Sequence, residues 1–387
     1  MTNSHRWFVL SIFVLSSTIN YLDRQTLATV APVLRAELTL SNAEYGWIVA
    51  AFSITYAVCA PFAGLLIDRI GLNRGITLAV GLWSIAALST GWARSFGGLL
   101  LCRAMLGAAE AGGIPAAGKA IQRYLRPAER ALGNSLNQAG VSLGLILAPP
   151  IATWLTIRYD WRAAFMATGV LGLLWIPVWR LVGHGEAGEA TTPGGWWFDR
   201  RLLAFAAANA LGMIPYSLWT NWTTLHLVDV NRLSFVRAAW LAWLPPALGA
   251  LGGLAGGALS FRSINAGLDA MAARTRVCQL AAIGCLITAA VPFAPTPALA
   301  AAGISLSFFS VAAFSVNMYS MPLDVFAADR AAFAVSLLVS AYGAMQAIGS
   351  PVAGAVIDRW GYTPVCVAAS VAPLAAVAIL KRTESRR

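Results

Sequence analysis

The sequence predicts an all-α integral membrane protein with twelve transmembrane helices arranged as two pseudo-symmetric six-helix bundles. Three observations support this prediction. Of the 387 residues, 58% are hydrophobic and only 11% are charged, with a mean hydropathy of +0.69, whereas a soluble protein carries roughly a quarter charged residues. Long apolar runs recur along the whole chain, and helices are the default spanning structure because lipid cannot satisfy exposed backbone groups. One long polar segment divides these runs into two sets of six.

The individual spans follow from run length, because a membrane-crossing helix needs ~20 mostly apolar residues. The run that begins at Trp7 is too long for a signal-peptide core and has no small-residue cleavage site after it, so we expect it to be the first span. The short connections hold Gly, Pro or charges, as in 123–130 and 293–298. The predicted spans are 7–34, 45–67, 75–92, 97–121, 131–157, 161–182, 202–228, 237–260, 276–293, 296–322, 331–356 and 361–380.

The longest connection sets the domain organisation. Residues 183–201 are polar and Gly-rich and follow the sixth span, which predicts a first bundle at 1–182, a linker at 183–201 and a second bundle at 202–387. A faint internal repeat supports two related halves, because "GVSLGLILAPP" precedes Trp161 and "GAMQAIGSP" precedes Trp360. Related halves often hold a substrate at their shared interface.

The distribution of basic residues predicts the orientation. Of the 27 Lys and Arg residues, 17 fall in segments on the side of the N-terminus, seven fall in the opposite loops, and three lie in or near spans. An excess of basic residues marks the cytoplasmic side, so both termini and the linker are expected in the cytoplasm. The net charge of +11 therefore reflects loop arginines and not a nucleic-acid surface. We expect a multi-pass protein of a bacterial inner membrane that works as a monomer.

The sequence contains no sign of metal or cofactor chemistry. The five cysteines all lie inside apolar runs, without metal-ligand spacing, and their odd number does not suggest a disulfide framework. Only three histidines occur, and neither an H-E-x-x-H helix nor a G-x-S-x-G elbow is present. These features predict no cofactor and no metal, and they argue against a membrane-embedded enzyme.

Four charged residues inside predicted spans are the main candidates for function. Of sixteen acids, only Asp23 and Glu110 lie well inside spans, together with the interior bases Arg24 and Arg103. Charges in a membrane are costly and mark functional sites by default. Neighbours on one helix point apart, so cross-helix pairs are the expected partners. The alternative is a structural ion network, but apolar replacements of such pairs are often neutral or stabilising, which favours a solute site.

The loop after the second span carries a further pattern. Residues 64–74, "GLLIDRIGLNR", have the spacing G-x-x-x-D-R-x-G-x-x-R. Gly64 would permit close approach of two helices. The Asp68 carboxylate could bind a helix N-terminus or an arginine, and Arg69 and Arg74 would anchor the loop to the inner face of the membrane. The alternative is an ordinary positively charged turn, but the spacing is unusual enough to argue strongly against it.

These motifs together resemble the major facilitator superfamily, whose signature loop matches Gly64, Asp68, Arg69, Gly71 and Arg74. Within it, "NYLDR" (20–24) and "RAMLGAAEAGGIPAAGKAI" (103–121) followed by "ERA" (129–131) resemble the anion:cation symporter family. The segments "WLAWLPPALGALGGLAGG" (240–257) and "NMYSMPLDVF" (317–326) resemble its sugar-acid branch, which carries hexuronates and aldonates. The resemblance covers the whole chain.

The resemblance implies a role for individual positions. Asp23 and Glu110 match proton-coupling carboxylates, and Arg24 and Arg103 match anion-binding and coupling arginines. The resemblance and the polar side chains of the later spans together imply a substrate-binding set of Tyr21, Arg24, Tyr56, Arg103, Gln138, Asn317, Tyr319 and Tyr342. For Tyr319 and Tyr342, a hydrogen bond between helices is an equal alternative. The chain departs from the family at "SAYGAMQ" (340–346) and at Gly249, where an Asn-containing stretch and an aspartate are usual.

The sequence as a whole predicts a proton-coupled symporter of a small organic anion, with a sugar acid as the expected substrate and alternating access as the mechanism. Its partners would be the organic anion, protons and the lipid bilayer, with no nucleic acid. A carrier of another monocarboxylate and a drug/proton antiporter stay open as alternatives, although two interior arginines argue against a cationic drug.

Overall fold

The computed structural model describes residues 3–125, 129–183, 199–326 and 328–384. Within these ranges the chain forms fifteen α-helices and one 3-10 helix and contains no strand, which confirms the predicted all-α fold class. The helices are α1 (Asn3–Leu38), α2 (Asn42–Ile70), α3 (Leu72–Thr90), α4 (Phe96–Glu110), α5 (Gly113–Tyr124), α6 (Arg130–Arg158), α7 (Trp161–Val182), α8 (Arg200–Gly212), α9 (Ile214–Asp229), α10 (Phe235–Leu241), α11 (Leu244–Asn265), α12 (Ala270–Gly284), the 3-10 helix (Cys285–Phe293), α13 (Pro297–Val325), α14 (Ala328–Trp360) and α15 (Tyr362–Glu384).

All twelve predicted runs are helical in the part of the chain that the structure describes. Ten helical segments are long and apolar enough to cross a membrane. The two further runs correspond to α1 and α14, which have 36 and 33 residues and exceed the length that a span needs. Helix α1 carries Asp23 and Arg24 within its length, and these charges lower its hydropathy.

Four predicted spans consist of two helical pieces where the sequence analysis expected one continuous helix. The span at 202–228 breaks at Met213, between α8 and α9, and the span at 237–260 breaks between α10 and α11. Proline explains both breaks, because it lacks the N–H that would continue the helix and stands in the first turn of α9 and of α11. The other two breaks separate α4 from α5 and α12 from the 3-10 helix.

The chain forms two compact units. Unit 1 comprises Met1–Leu40 and Trp47–Thr192, and unit 2 comprises Ser41–Gly46 and Pro193–Arg387. In unit 1, α1 packs against α6 and α7, and in unit 2 α11 packs against α13. Residues 41–46 belong to unit 2 although they lie in the first half of the sequence. The linker expected at 183–201 falls largely outside the described residues, so the bundle boundaries stay a prediction.

Candidate functional site in unit 1

Helix α1 brings Asp23 and Arg24 into the interior of unit 1. Its middle lies directly against α6, where a Cβ added at Gly144 would meet the Thr18 carbonyl oxygen at 2.4 Å. The Thr18 hydroxyl also donates a hydrogen bond to the Gly140 carbonyl of α6, at 3.0 Å. Small residues permit such close helix contact in a membrane. The segment of α1 that carries the two charges is therefore fixed by backbone contact.

Helix α4 places Glu110 beside α2 in a similar way. A Cβ added at Gly107 would lie 2.2 Å from the Phe52 carbonyl oxygen, so only glycine permits the observed contact between α4 and α2. The Thr55 hydroxyl of α2 donates a hydrogen bond to the Ala104 carbonyl, at 2.7 Å. Helix α4 then ends at Glu110, and α5 begins three residues later. The carboxylate thus stands where the span is interrupted.

Arg24 and Glu110 form an ion pair between α1 and α4. Arg24 donates from Nη2 and from Nε to Glu110 Oε2, at 2.7 and 3.1 Å. The Glu110 side chain is fully buried, whereas a quarter of the Arg24 side chain is exposed. The pair fits the expectation that interior charges find partners on another helix. Both arginine nitrogens bind a single carboxylate oxygen, and part of the guanidinium stays accessible.

Asp23 and Arg103 complete the interior charges of this unit. Asp23 is 1% exposed and Arg103 is 3% exposed. The Thr168 hydroxyl of α7 donates a hydrogen bond to Asp23 Oδ1, at 2.9 Å. Asp23 interacts electrostatically with Glu110, Arg103 and Arg24. Two carboxylates and two guanidinium groups sum to zero formal charge when all are ionised, which limits the cost of burying them.

An aromatic cage surrounds the Arg24 guanidinium. Its central carbon lies 4.9 Å from the Tyr21 ring centroid, 4.7 Å from that of Phe52 and 5.1 Å from that of Tyr56. Phe52 also contacts Arg103, at 5.2 Å, and therefore touches both arginines. Ring faces attract cations by ~0.5–2 kcal/mol each. The predicted residues Tyr21, Arg24, Tyr56 and Glu110 are thus brought together in unit 1.

Among the described contacts of the cluster, none involves Gln138. It lies on α6 with an exposed side chain. Its neighbour Asn137 instead accepts a hydrogen bond from Ser17 of α1, at 2.7 Å. The substrate contact of Gln138 stays a prediction.

The predicted residues of unit 2 occupy different environments. Asn317 is fully buried, and its amide donates to the Gly256 and Ala313 carbonyls at 3.2 and 3.0 Å. A buried amide that ties α13 to α11 has no surface for a solute, so this packing does not support the contact predicted for Asn317.

Tyr319 and Tyr342 are only partly buried. The Tyr319 hydroxyl accepts a hydrogen bond from Asn209, at 3.4 Å. Tyr342 packs edge-on against Tyr216, with 6.2 Å between the ring centroids. Both tyrosines remain candidates for substrate contacts.

The loop motif lies at the junction of α2 and α3. Gly71 separates the two helices with a φ of +83°, a conformation that favours glycine. Arg69 and Arg74 are exposed. Gly64 does not make the close helix approach that was expected, since an added Cβ would meet Pro115 at an ordinary 3.8 Å. The Asp68 side chain lies outside the described side chains, so its gating role stays a prediction.

Sequence reasoning missed Phe52 and Thr168. Phenylalanine is common in apolar helices, so nothing in the sequence marks Phe52 as the ring between two arginines. Thr168 lies in "FMATGV", where the hydroxyl has no polar neighbour in the chain. One available signal was the spacing of Phe52 and Tyr56, because residues four apart share one face of a helix.

The comparisons with known proteins agree with this architecture. The sequence profile of the Major Facilitator Superfamily matches residues 13–335, and the chain therefore belongs to this superfamily. It is a multi-pass membrane transporter and not an enzyme.

Two curated relatives and one solved structure are similar to the chain. The "Hexuronate transporter" of Escherichia coli (strain K12) is 27% identical over 386 residues, covering 93% of this chain and 89% of that protein. The "Galacturonate transporter" of Dickeya chrysanthemi is 28% identical over 277 residues, covering 65% of this chain and 80% of that protein. A crystal structure of a bacterial homolog to the human lysosomal transporter Spinster, inward-facing and occupied, superposes with a TM-score of 0.84. It is 19% identical and covers 100% of this chain and 98% of that chain, which supports the fold alone.

Proposed function

We propose that the chain is a proton-coupled symporter of a small organic anion, a sugar acid, that works by alternating access. The observation that carries this proposal is the Arg24–Glu110 pair, in which a buried carboxylate binds a partly exposed arginine. An arginine held in this way can exchange one carboxylate for another. The incoming carboxylate would be that of the substrate.

Charge balance links the exchange to a proton. While Asp23 and Glu110 are ionised they compensate Arg24 and Arg103. Protonation of Glu110 removes the partner of Arg24, and an uncompensated buried charge is strongly unfavourable. The substrate carboxylate then takes the place of Glu110 and can use the guanidinium fork for paired hydrogen bonds. The site is neutral again only when both proton and anion are bound, which discourages transport of either alone.

The neighbouring groups suit a hydroxylated anion. Tyr21 and Tyr56 flank Arg24 and can donate or accept hydrogen bonds. The relatives include hexuronate and galacturonate transporters, and both of those solutes combine one carboxylate with several hydroxyls. In the proposed arrangement, Arg24 binds the carboxylate and the tyrosines bind hydroxyls. We place the protein as a monomer in the inner membrane with both termini in the cytoplasm.

The test uses purified protein in proteoliposomes. Galacturonate, glucuronate and galactonate should raise the melting temperature, whereas galactose, which lacks a carboxylate, should not. An imposed inward proton gradient should drive accumulation of the stabilising anion. Transport of one proton per monoanion is electroneutral, whereas transport of two protons carries a net positive charge worth ~2.3 kcal/mol per 100 mV. An imposed membrane potential should therefore change accumulation only if two protons accompany each anion. Accumulation of a cationic drug under an outward proton gradient would instead show that the chain is a drug/proton antiporter.

A further inference from the structure

This inference concerns Thr168 and rests on the proposed function. Thr168 is 3% exposed on α7. Its Oγ1 lies 2.9 Å from Asp23 Oδ1 and 2.9 Å from the Phe165 carbonyl oxygen of its own helix. A threonine hydroxyl has one hydrogen and two acceptor lone pairs. It can therefore donate to only one of these two oxygens fully at a time.

The position of this hydroxyl is fixed by helix packing. A Cβ added at Gly172 would lie 2.1 Å from Ser84 Oγ, and one added at Gly169 would lie 2.8 Å from the Ser84 carbonyl oxygen. Helix α7 therefore lies in contact with α3 in the turn that directly follows Thr168. A shift of Thr168 away from Asp23 would disturb this packing of α7 against α3.

We propose that Thr168 is a positioning residue that satisfies Asp23 in both of its protonation states. With Asp23 ionised, the hydroxyl donates its hydrogen to Oδ1. With Asp23 protonated, the carboxylic acid donates its own hydrogen to Thr168 Oγ1, and the threonine hydrogen rotates to the Phe165 carbonyl. The proton stays on Asp23 and the hydroxyl hydrogen stays on Thr168. Asp23 thus keeps one orientation toward Arg103, Arg24 and Glu110 throughout a cycle.

The pH dependence of transport tests this role. Thr168→Val keeps the shape and removes the hydroxyl, whereas Thr168→Ser keeps the hydroxyl. Hydrogen bonds to a charged group are stronger than those to a neutral one, so valine disfavours the ionised carboxyl and Asp23 binds its proton at a higher pH. The midpoint of proton-driven uptake should move by about half to one pH unit to the alkaline side, while counterflow at equal pH stays within about twofold.

Matched variants separate this role from packing. Thr26→Val is the control, because Thr26 is fully buried on α1 and its hydroxyl donates to the Leu22 carbonyl of its own helix, at 2.8 Å. Thr168→Ser should keep the wild-type midpoint, and Thr168→Cys, a weak donor, should shift it partway and serves if valine prevents folding. A wild-type midpoint in Thr168→Val or Thr168→Cys would overturn the role of Thr168 alone. If uptake by the wild-type protein did not depend on the proton gradient, the coupling proposal and the role of Thr168 would both be wrong.

Discussion

The two units differ most in what they bury. Among the side chains whose burial is described, the fully buried Asp, Glu, Lys and Arg residues are Asp23, Arg103 and Glu110, and all three lie in unit 1. Unit 2 instead buries neutral polar groups such as Asn209, Ser217 and Asn317. Ionised groups inside a membrane cost several kcal/mol each unless they are paired. From this contrast we expect unit 1 to bind the charged groups of the solute and unit 2 to offer neutral hydrogen bonds.

Removal of an arginine from the interior of unit 1 should have the largest effect on binding and tests this contrast most directly. Arg24→Ala or Arg103→Ala should abolish carboxylate binding, because loss of one partner from a buried pair costs about 3–5 kcal/mol. That corresponds to an affinity loss of at least ~100-fold. Arg24→Lys should rescue poorly, since lysine lacks the planar fork. Ligand-induced stabilisation in a thermal-shift assay measures the effect.

Arg162→Ala is the matched control for these variants. Arg162 is also paired with a carboxylate, Glu37, at 2.8 Å, and its side chain is 23% exposed against 25% for Arg24. It lies at the start of α7, away from the interior charges. If Arg162→Ala lost binding as strongly as Arg24→Ala, or if both interior alanine variants kept full stabilisation, the assignment of the anion site to unit 1 would be wrong.

The next largest effect should separate coupling from binding. Glu110→Gln mimics the protonated acid and leaves Arg24 available, so substrate binding and counterflow should persist. Uphill accumulation under a proton gradient should fall to the equilibrium level. Glu129→Gln is the control, because Glu129 pairs with Arg6 at 3.3 Å outside the site. Wild-type accumulation by Glu110→Gln would make Glu110 a structural residue.

A smaller effect should follow from the ring that touches both arginines. Phe52→Leu keeps an apolar side chain but removes two cation–π contacts, each worth ~0.5–2 kcal/mol. Phe52 positions the arginines, so only part of this energy should be lost from binding, and affinity for the anion should fall by roughly five- to fiftyfold in a titration calorimetry experiment. Phe62→Leu, on the exposed face of the same helix, should leave affinity unchanged. Equal affinities in the two variants would remove Phe52 from the site.

The smallest expected effect sharpens the role of unit 2. Tyr342→Phe removes one neutral hydroxyl, which is worth ~0.5–1.5 kcal/mol if it binds a sugar hydroxyl. Galacturonate affinity should fall about two- to tenfold, while coupling and binding of a monocarboxylate without hydroxyls should not change. The exposed Tyr159→Phe provides the control. A change in proton coupling in Tyr342→Phe would show that the role of unit 2 is not limited to neutral hydrogen bonds.

Much of the fold and part of the site could be predicted from the sequence. Run length fixed the helical segments because the bilayer sets the length of a span. Asp23, Arg24, Arg103 and Glu110 stood out because charges are rare inside apolar runs, and cross-helix partners followed from helical geometry. The Arg24–Glu110 contact satisfies that expectation.

The missed features depend on tertiary contacts that leave no mark in composition. Phe52 looks like any apolar residue of α2 until α1 and α4 place an arginine on each side of it. Asn317 looked like a substrate contact, but α11 approaches at Gly256 and accepts its amide hydrogen bond. The break at Met213 was hidden because a proline inside an apolar run can kink a helix as well as end it.

The position of the interior charges also has a consequence for synthesis of the protein. Helix α1 emerges from the ribosome before α4 and carries Asp23 and Arg24, each of which costs about 2.5–3.5 kcal/mol to insert at the centre of a span. The partner of Arg24 is Glu110, 86 residues later. At ~5–20 residues per second this leaves α1 uncompensated for ~4–17 s. We therefore expect the stable insertion of α1 to depend on α4, a helix that has not yet been made when α1 leaves the ribosome.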